Sequence, residues 1–248
     1  MARIMCVANQ KGGVGKTTTA INLSMALTIS GGRTLLVDLD PQCNATTGTG
    51  KEPSPRHPFS SECPLDHVQT DVLEERLDLL PGSRSFADID SLARGDTESY
   101  DRLRQFFSRQ VHDYDYVLID CPPSLGSLTE TALGCATEVL MPIQCEYFAM
   151  EGLTQMIEVI RRVMQRPNNL LEFGGIVLTM YDDRLELTHE VDSEVRDFFG
   201  DIVYETVIPR DVAVSEAPSH GQSVLQYAPR SRGARSYVEL CMEVLERD

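Results

Sequence analysis

Tryptophan is missing from this 248-residue chain, lysine is nearly so, and no apolar stretch is long. Each gap excludes something. No run approaches 18 consecutive apolar residues, so no membrane-spanning helix is expected. The N-terminal stretch Met1-Ala2-Arg3-Ile4-Met5-Cys6-Val7 passes straight into an apolar, strand-like segment with no h-region and cleavage site, so secretion is unsupported and a cytoplasmic location is the expectation. The seven cysteines (Cys6, Cys43, Cys63, Cys121, Cys135, Cys145 and Cys241) form no CxxC pair and no zinc-type spacing with the five histidines. They read as reduced thiols, several of them buried as small hydrophobes.

Basic charge is also scarce. Lys and Arg total 22 against 38 Asp and Glu, a net charge of −16. That balance argues against coating nucleic acid by global charge, while leaving room for a local basic patch. Lys11, Lys16 and Lys51 are the only lysines, and two of them stand five residues apart near the N-terminus. In a chain that otherwise takes its positive charge from arginine, that placement points to chemistry.

The remaining composition is that of a globular protein, with 42% apolar and 24% charged residues. The length suits one large α/β domain over residues 1–248 better than two ordinary ones, and it can bury a core without disulfide or metal staples. Apolar runs alternate with amphipathic stretches. Strands are expected at 4–8, 34–37, 77–80, 116–119, 139–143, 175–178 and 203–208. Helices are expected at 16–29, 100–111, 150–164, 187–199 and 231–246. Residues 51–67, with Pro53, Pro55, Pro58 and Pro64 among Ser and His, read as a loop or mobile insertion. Strands alternating with helices predict a doubly wound, mainly parallel sheet with helices on both faces.

The strongest motif is Lys11-Gly12-Gly13-Val14-Gly15-Lys16-Thr17-Thr18, after a strand and opening a helix. Successive backbone N–H groups there can cradle phosphate oxygens, and the helix N-terminus adds partial positive charge. Lys16 would neutralise β/γ-phosphate charge and the Thr17 hydroxyl would ligate Mg²⁺, as in a P-loop NTPase fold binding ATP. The ordinary P-loop pattern begins with Gly at position 10, where this chain has Gln10. A second motif, Val37-Asp38-Leu39-Asp40-Pro41-Gln42, ends the second strand, where carboxylates face the ligand crevice. Asp38 is expected to face the Mg²⁺ and phosphate region. A third, Tyr116-Val117-Leu118-Ile119-Asp120-Cys121-Pro122-Pro123, is an apolar strand ending in Asp, similar to a Walker B element in which Asp120 holds Mg²⁺ through water.

The octet resembles the deviant phosphate loop of the ParA/MinD group of P-loop ATPases, marked by an extra lysine at its start, here Lys11. The resemblance implies that Lys11 reaches across an ATP-dependent homodimer to the partner's phosphates, where a second cation acts like an arginine finger in trans. It also implies that Asp40 positions or activates the attacking water. Further blocks narrow the likeness to ParA/Soj chromosome-partitioning ATPases: Asp120-Cys121-Pro122-Pro123-Ser124-Leu125-Gly126, the run Pro142 to Ala149, Leu178-Thr179-Met180-Tyr181-Asp182, Ile208-Pro209-Arg210 and the run Ser215 to Gly221. Together they cover most of the chain and leave about 51–113 poorly matched. The family's adenine site corresponds to Pro209 and Asp211. The usual Asn is Asp211 here, which removes a donor and shifts the expected base contact to the backbone.

The resemblance also implies partners: nonspecific DNA, bound by the ATP dimer, and a ParB-like activator with a basic N-terminal segment, which an acidic surface suits. Nucleoid association would follow from DNA binding. Arg184 matches one DNA-contacting position, while a second, commonly Arg, is Ala213. Residues 218–235 hold Arg230, Arg232 and Arg235 without an acid, a local +3. A MinD-like membrane-cycling ATPase would need a basic amphipathic C-terminal helix, whereas this one carries Glu239, Glu243, Glu246 and Asp248 against Arg247. Cys121 and Cys135 do not fit the cluster ligands of the nitrogenase-reductase branch. A ligase of the dethiobiotin-synthetase type shares the phosphate loop but not the block Ser215 to Gly221. An ATP-gated scaffold that positions a protein cargo is the non-enzymatic alternative.

Overall fold

Seven apolar runs become seven strands: β1 (Arg3–Val7), β2 (Thr34–Asp38), β3 (Leu77–Leu80), β4 (Tyr116–Asp120), β5 (Glu138–Gln144), β6 (Glu172–Tyr181) and β7 (Val203–Pro209). The computed structural model describes residues 2–61, 63–85, 97–147, 149–166 and 170–247. Phe148 of the block Pro142 to Ala149, and Asp248 of the acidic end, lie outside them. The strands join in the order β3-β2-β4-β1-β5-β6-β7, every neighbouring pair parallel.

A parallel strand covered on both faces must be apolar on both, which is why these runs show no polar alternation. In β4, Val117 and Ile119 join one core while Leu118 joins the other. On one face lie α1 (Lys16–Ile29), α2 (Asn44–Gly48), α8 (Val224–Tyr227) and α9 (Arg232–Glu246), sealed by Ile21, Leu27, Ala45, Val224, Tyr237 and Leu240. On the other lie α3 (Thr97–Arg109), α4 (Ser127–Cys135), α5 (Ala149–Met164) and α6 (Glu186–Phe199), sealed by Phe106, Leu128, Met156 and Val191. A short α7 (Val212–Glu216) follows β7. The architecture is the expected doubly wound α/β sheet.

Both sheet edges are covered, as an aggregation-resistant fold requires. Glu243 of α9 accepts the outward N–H groups of Glu205 and Thr206 in β7, at 2.9 and 2.7 Å. At β3, Gln69 pairs antiparallel with Leu79 and Ser54 bridges Ser83. Residues 51–67, expected as a loop or mobile insertion, carry two 3₁₀ turns, Pro58–Ser60 and Pro64–His67. Phe59, in the first of them, is buried and meets Phe106 edge to face at 5.0 Å. Five cysteines are buried and all are free thiols.

Candidate active site

Strand β1 lies between β4 and β5, where the chain turns away in both directions, so a crevice opens above its carboxyl end. The loop Gly12–Gly15 fills that position and leads into α1. Gly13 and Gly15 hold φ of 77° and 90°, left-handed values that a side chain resists. Gly15 caps α1 with no side-chain partner, so the first-turn N–H groups are left for a ligand. The loop opens on a cavity of about 440 Å³, also lined by Asp40, Asn44, Pro123, Met180, Pro209, Asp211 and Val214.

Lys16 is only 6% exposed, and its Nζ donates to the Lys11 carbonyl at 2.9 Å, drawn across the loop. Burial lowers its pKa, against the opposing pull of Asp120 and Asp40. Thr17 Oγ1 donates to Asp120 Oδ2 at 2.8 Å. Asp120 is fully buried, and its Oδ1 has no hydrogen-bond partner among the described residues. Desolvation pushes its pKa well up, and Asp38 and Asp40 add to the rise. A buried carboxylate with one orphaned oxygen, beside a hydroxyl, is a hard-oxygen donor set that fits Mg²⁺. Asp40, 6% exposed, accepts from Gln42 N at 2.9 Å, which fixes its carboxylate at the cavity wall. Burial raises its pKa too, while Gln42 and Lys16 hold it down.

Three expectations change in detail. Asp38 stands beside Asp120 in register, but its oxygens are already engaged: Oδ2 accepts from Thr46 N and Oγ1 at 2.8 and 2.6 Å, and Oδ1 from Asp40 N at 3.2 Å. It ties β2 to α2, a role that spacing alone does not signal because Thr46 is eight residues on. Asp211 lines the cavity, and its carboxylate bridges two helix starts, accepting Ala213 N and Gly233 N at 2.9 Å each. An Asn there could offer an acceptor to only one of them. Lys11 Nζ is held within its own chain by Glu146 Oε2 at 2.6 Å, and Gln144 secures the other oxygen of Glu146.

The arginines tell a mixed story. Arg184 is 82% exposed and chelates Asp182 through Nε and Nη2 at 2.8 and 2.7 Å, which holds the Asp182 carboxyl down at about 2. Arg232 Nη2 lies 3.8 Å from Asp183. The stretch 218–235, acid-free in sequence, therefore meets an acid in space. Arg230 and Arg235 are exposed. Arg210, quoted above only as part of a family block and given no role, lines the cavity and also faces Asp182. Its backbone N–H bonds Tyr181 O at 2.9 Å.

Comparison with known proteins decides the lineage. A family profile described as an AAA domain matches residues 2–173. The sporulation initiation inhibitor protein Soj of Bacillus subtilis is 43% identical over 98% of this chain and 98% of its own. The chromosome partitioning protein ParA of Caulobacter vibrioides is 45% identical over 99% of this chain and 95% of its own. The chain belongs to the ParA/Soj family of chromosome-partitioning ATPases. Among solved structures, cobyrinic acid a,c-diamide synthase from Mycobacterium smegmatis, with bound ATP analog and magnesium, matches with a TM-score of 0.84. It is 32% identical and covers 100% of this chain and 96% of its own.

The crowded carboxylates of this ParA/Soj chain carry a pH signature. Folding raises Asp38 from its ordinary 3.8 to about 6, chiefly by burial. Between those values the folded chain holds a proton that the unfolded chain has lost, so stability falls as pH rises through that window. Nucleotide-free protein is expected to gain on the order of 1 kcal/mol in urea unfolding on going from pH 7 to pH 5. Asp38→Asn should flatten that slope; an unchanged slope in the variant would refute the assignment.

Proposed function

We propose that this chain binds Mg-ATP, dimerises on it, and hydrolyses it to ADP and phosphate to drive chromosome or plasmid partitioning through ATP-gated, nonspecific DNA binding. One observation carries the reading. Lys16, Thr17 and Asp40, from a helix start and the end of β2, line one cavity at the N-terminus of α1, and Thr17 bonds buried Asp120 at the end of β4. Gly12, Gly13, Val14, Gly15 and Thr18 supply backbone N–H groups for the phosphates, and Lys16 neutralises their charge. Thr17 and Asp120 hold Mg²⁺, which when bound neutralises charge developing on the transferred phosphoryl group. Asp40 orients the attacking water and accepts its proton. Pro209 and Asp211 flank the base.

Lys11 completes the site of the partner protomer. Its pair with Glu146 is 37% and 47% exposed, so it contributes at most about 1 kcal/mol and yields readily to a polyphosphate. A ParB-like protein with a basic N-terminal segment stimulates turnover. Membrane cycling is disfavoured, because Ala234, Tyr237, Leu240 and Val244 of α9 are buried against the sheet and cannot enter a bilayer. Among the described residues no helix is long and apolar enough to cross a membrane. The chain works in the cytoplasm, on the nucleoid when bound to DNA.

A second reading replaces DNA with a protein cargo, and it is favoured by Ala213, the −16 charge and the acids paired to Arg184 and Arg232. Titration of nonspecific duplex DNA with a nonhydrolysable ATP analogue, across a salt series, separates the two. The DNA reading expects ATP-dependent binding whose logarithm falls with log salt at a slope of about −3 to −5, for three to six phosphate contacts per dimer. No binding at low salt by a confirmed dimer selects the protein cargo.

A further inference from the structure

Behind Asp40, the chain ties a closed polar knot inside an otherwise apolar interior. Asp38 and Thr46 are 1% and 0% exposed. Asp38 Oδ1 accepts the Asp40 N–H, and its Oδ2 accepts both the N–H and the hydroxyl of Thr46. The Thr46 hydroxyl in turn accepts from Gly82 N at 2.9 Å, just past the end of β3. Gly82 leaves no room for a side chain, since a Cβ there would stand 3.0 Å from Asp38 Cγ and 3.1 Å from Cys43 Sγ. Its carbonyl accepts from Ser54 N at 2.8 Å. One hydroxyl thus joins the end of β2, the start of α2 and the exit of β3.

The turn that carries Asp40 is held from the same side. Cys43 N donates to Asp40 O at 2.8 Å, and Cys43 stands at φ 55°, a left-handed value that persists only where surrounding bonds over-determine it. Thr46 is fully buried and does not line the cavity, so it touches neither nucleotide nor water. What it does reach is Asp38, and Asp38 reaches the backbone of Asp40. A buried carboxylate is costly unless its oxygens are bonded, and an apolar pair of similar shape would tie β2 to α2 at no such cost. The polar knot makes sense for what it adds, which is direction: its bonds end on the one turn that presents a carboxylate to the cavity. We infer that Thr46 is a positioning residue for hydrolysis, its hydroxyl orienting Asp38 and, through Asp38, the Asp40 carboxylate against the attacking water. This rests on the reading of Asp40 given above and adds to it the residue that holds Asp40 in place.

Single-turnover hydrolysis of Mg-ATP, measured beside ATP affinity, tests it in wild type, Thr46→Val, Thr46→Ser, Asp38→Asn, the Thr46→Val/Asp38→Asn double variant and Asp40→Ala. Valine keeps the shape of threonine and removes the hydroxyl. Thr46→Val is expected to hydrolyse about tenfold more slowly with ATP affinity within about twofold of wild type, and Thr46→Ser to regain most of the rate. Because the hydroxyl acts through Asp38, the double variant should be no slower than Asp38→Asn alone. A wild-type rate in Thr46→Val overturns the inference. So does Thr46→Ser as slow as Thr46→Val, a double variant whose losses multiply, or a matching loss of ATP affinity, which would mark general damage to the fold. Should Thr46→Val not fold, Asp38→Asn decides: a selective loss of rate supports the inference and an unchanged rate overturns it. Asp40→Ala that hydrolyses like wild type removes the role of Asp40, and that of Thr46 with it. A slow Asp40→Ala beside an unaffected Thr46→Val removes the role of Thr46 alone.

Discussion

Lys16→Ala is expected to weaken ATP binding by at least about a hundredfold, which calorimetry would register as loss of a measurable isotherm. The ammonium is buried beside two carboxylates and tethered to the Lys11 carbonyl, so it is positioned before any ligand arrives. Truncating one member of a buried, hydrogen-bonded charge pair costs about 2–5 kcal/mol, much of it from the charge left unpaired. Here the phosphates would be that unpaired charge. The loss also falls on the apo protein, because Lys16 is the cation that restrains the pKa values of Asp120 and Asp40. Lys16→Arg should rescue little, since a planar guanidinium does not replace a compact ammonium at a tight site. Binding within about threefold of wild type would remove Lys16 from the phosphate site.

How much of this was legible in sequence depends on distance along the chain. The strands were, because a strand buried on both faces writes itself as an unbroken apolar run, as Tyr116 to Ile119 does. The phosphate loop was, because glycines, a lysine and a threonine at fixed offsets leave few alternatives. Helix α4 was not read. Its nine residues include two Thr, Ser and Gly134, which weaken the periodic signal. Helix α2 was also missed, being five residues long and held by the Asp38–Thr46 bonds. Pairings between remote residues left no trace at all: Lys11 with Glu146, Arg232 with Asp183, and Phe59 with Phe106. Each is decided by topology, which brings segments far apart in the chain together. The left-handed backbone of Met180 is likewise invisible, since methionine is the wrong residue to announce it.

Asp40→Ala is expected to trap the ATP-bound dimer. The carboxylate is fixed by Gln42 N, lies in the wall of the cavity and makes no bond to the phosphate loop, so its loss should leave ATP binding nearly intact. On the proposed mechanism, what disappears is the group that orients water and takes its proton, a contribution of about 10²–10⁴ in rate. A dimer that forms on ATP and dissolves on hydrolysis then persists for correspondingly longer. Light scattering on a sizing column should show dimer with ATP and monomer without. Ionic strength supplies a second test of opposite sign. Two chains of −16 repel, so screening should favour the dimer as salt rises, even as it weakens any contact with DNA. The two equilibria can therefore be separated in one protein by salt alone. Asp40→Ala that stays monomeric in saturating ATP at every salt concentration would take the hydrolytic role away from Asp40.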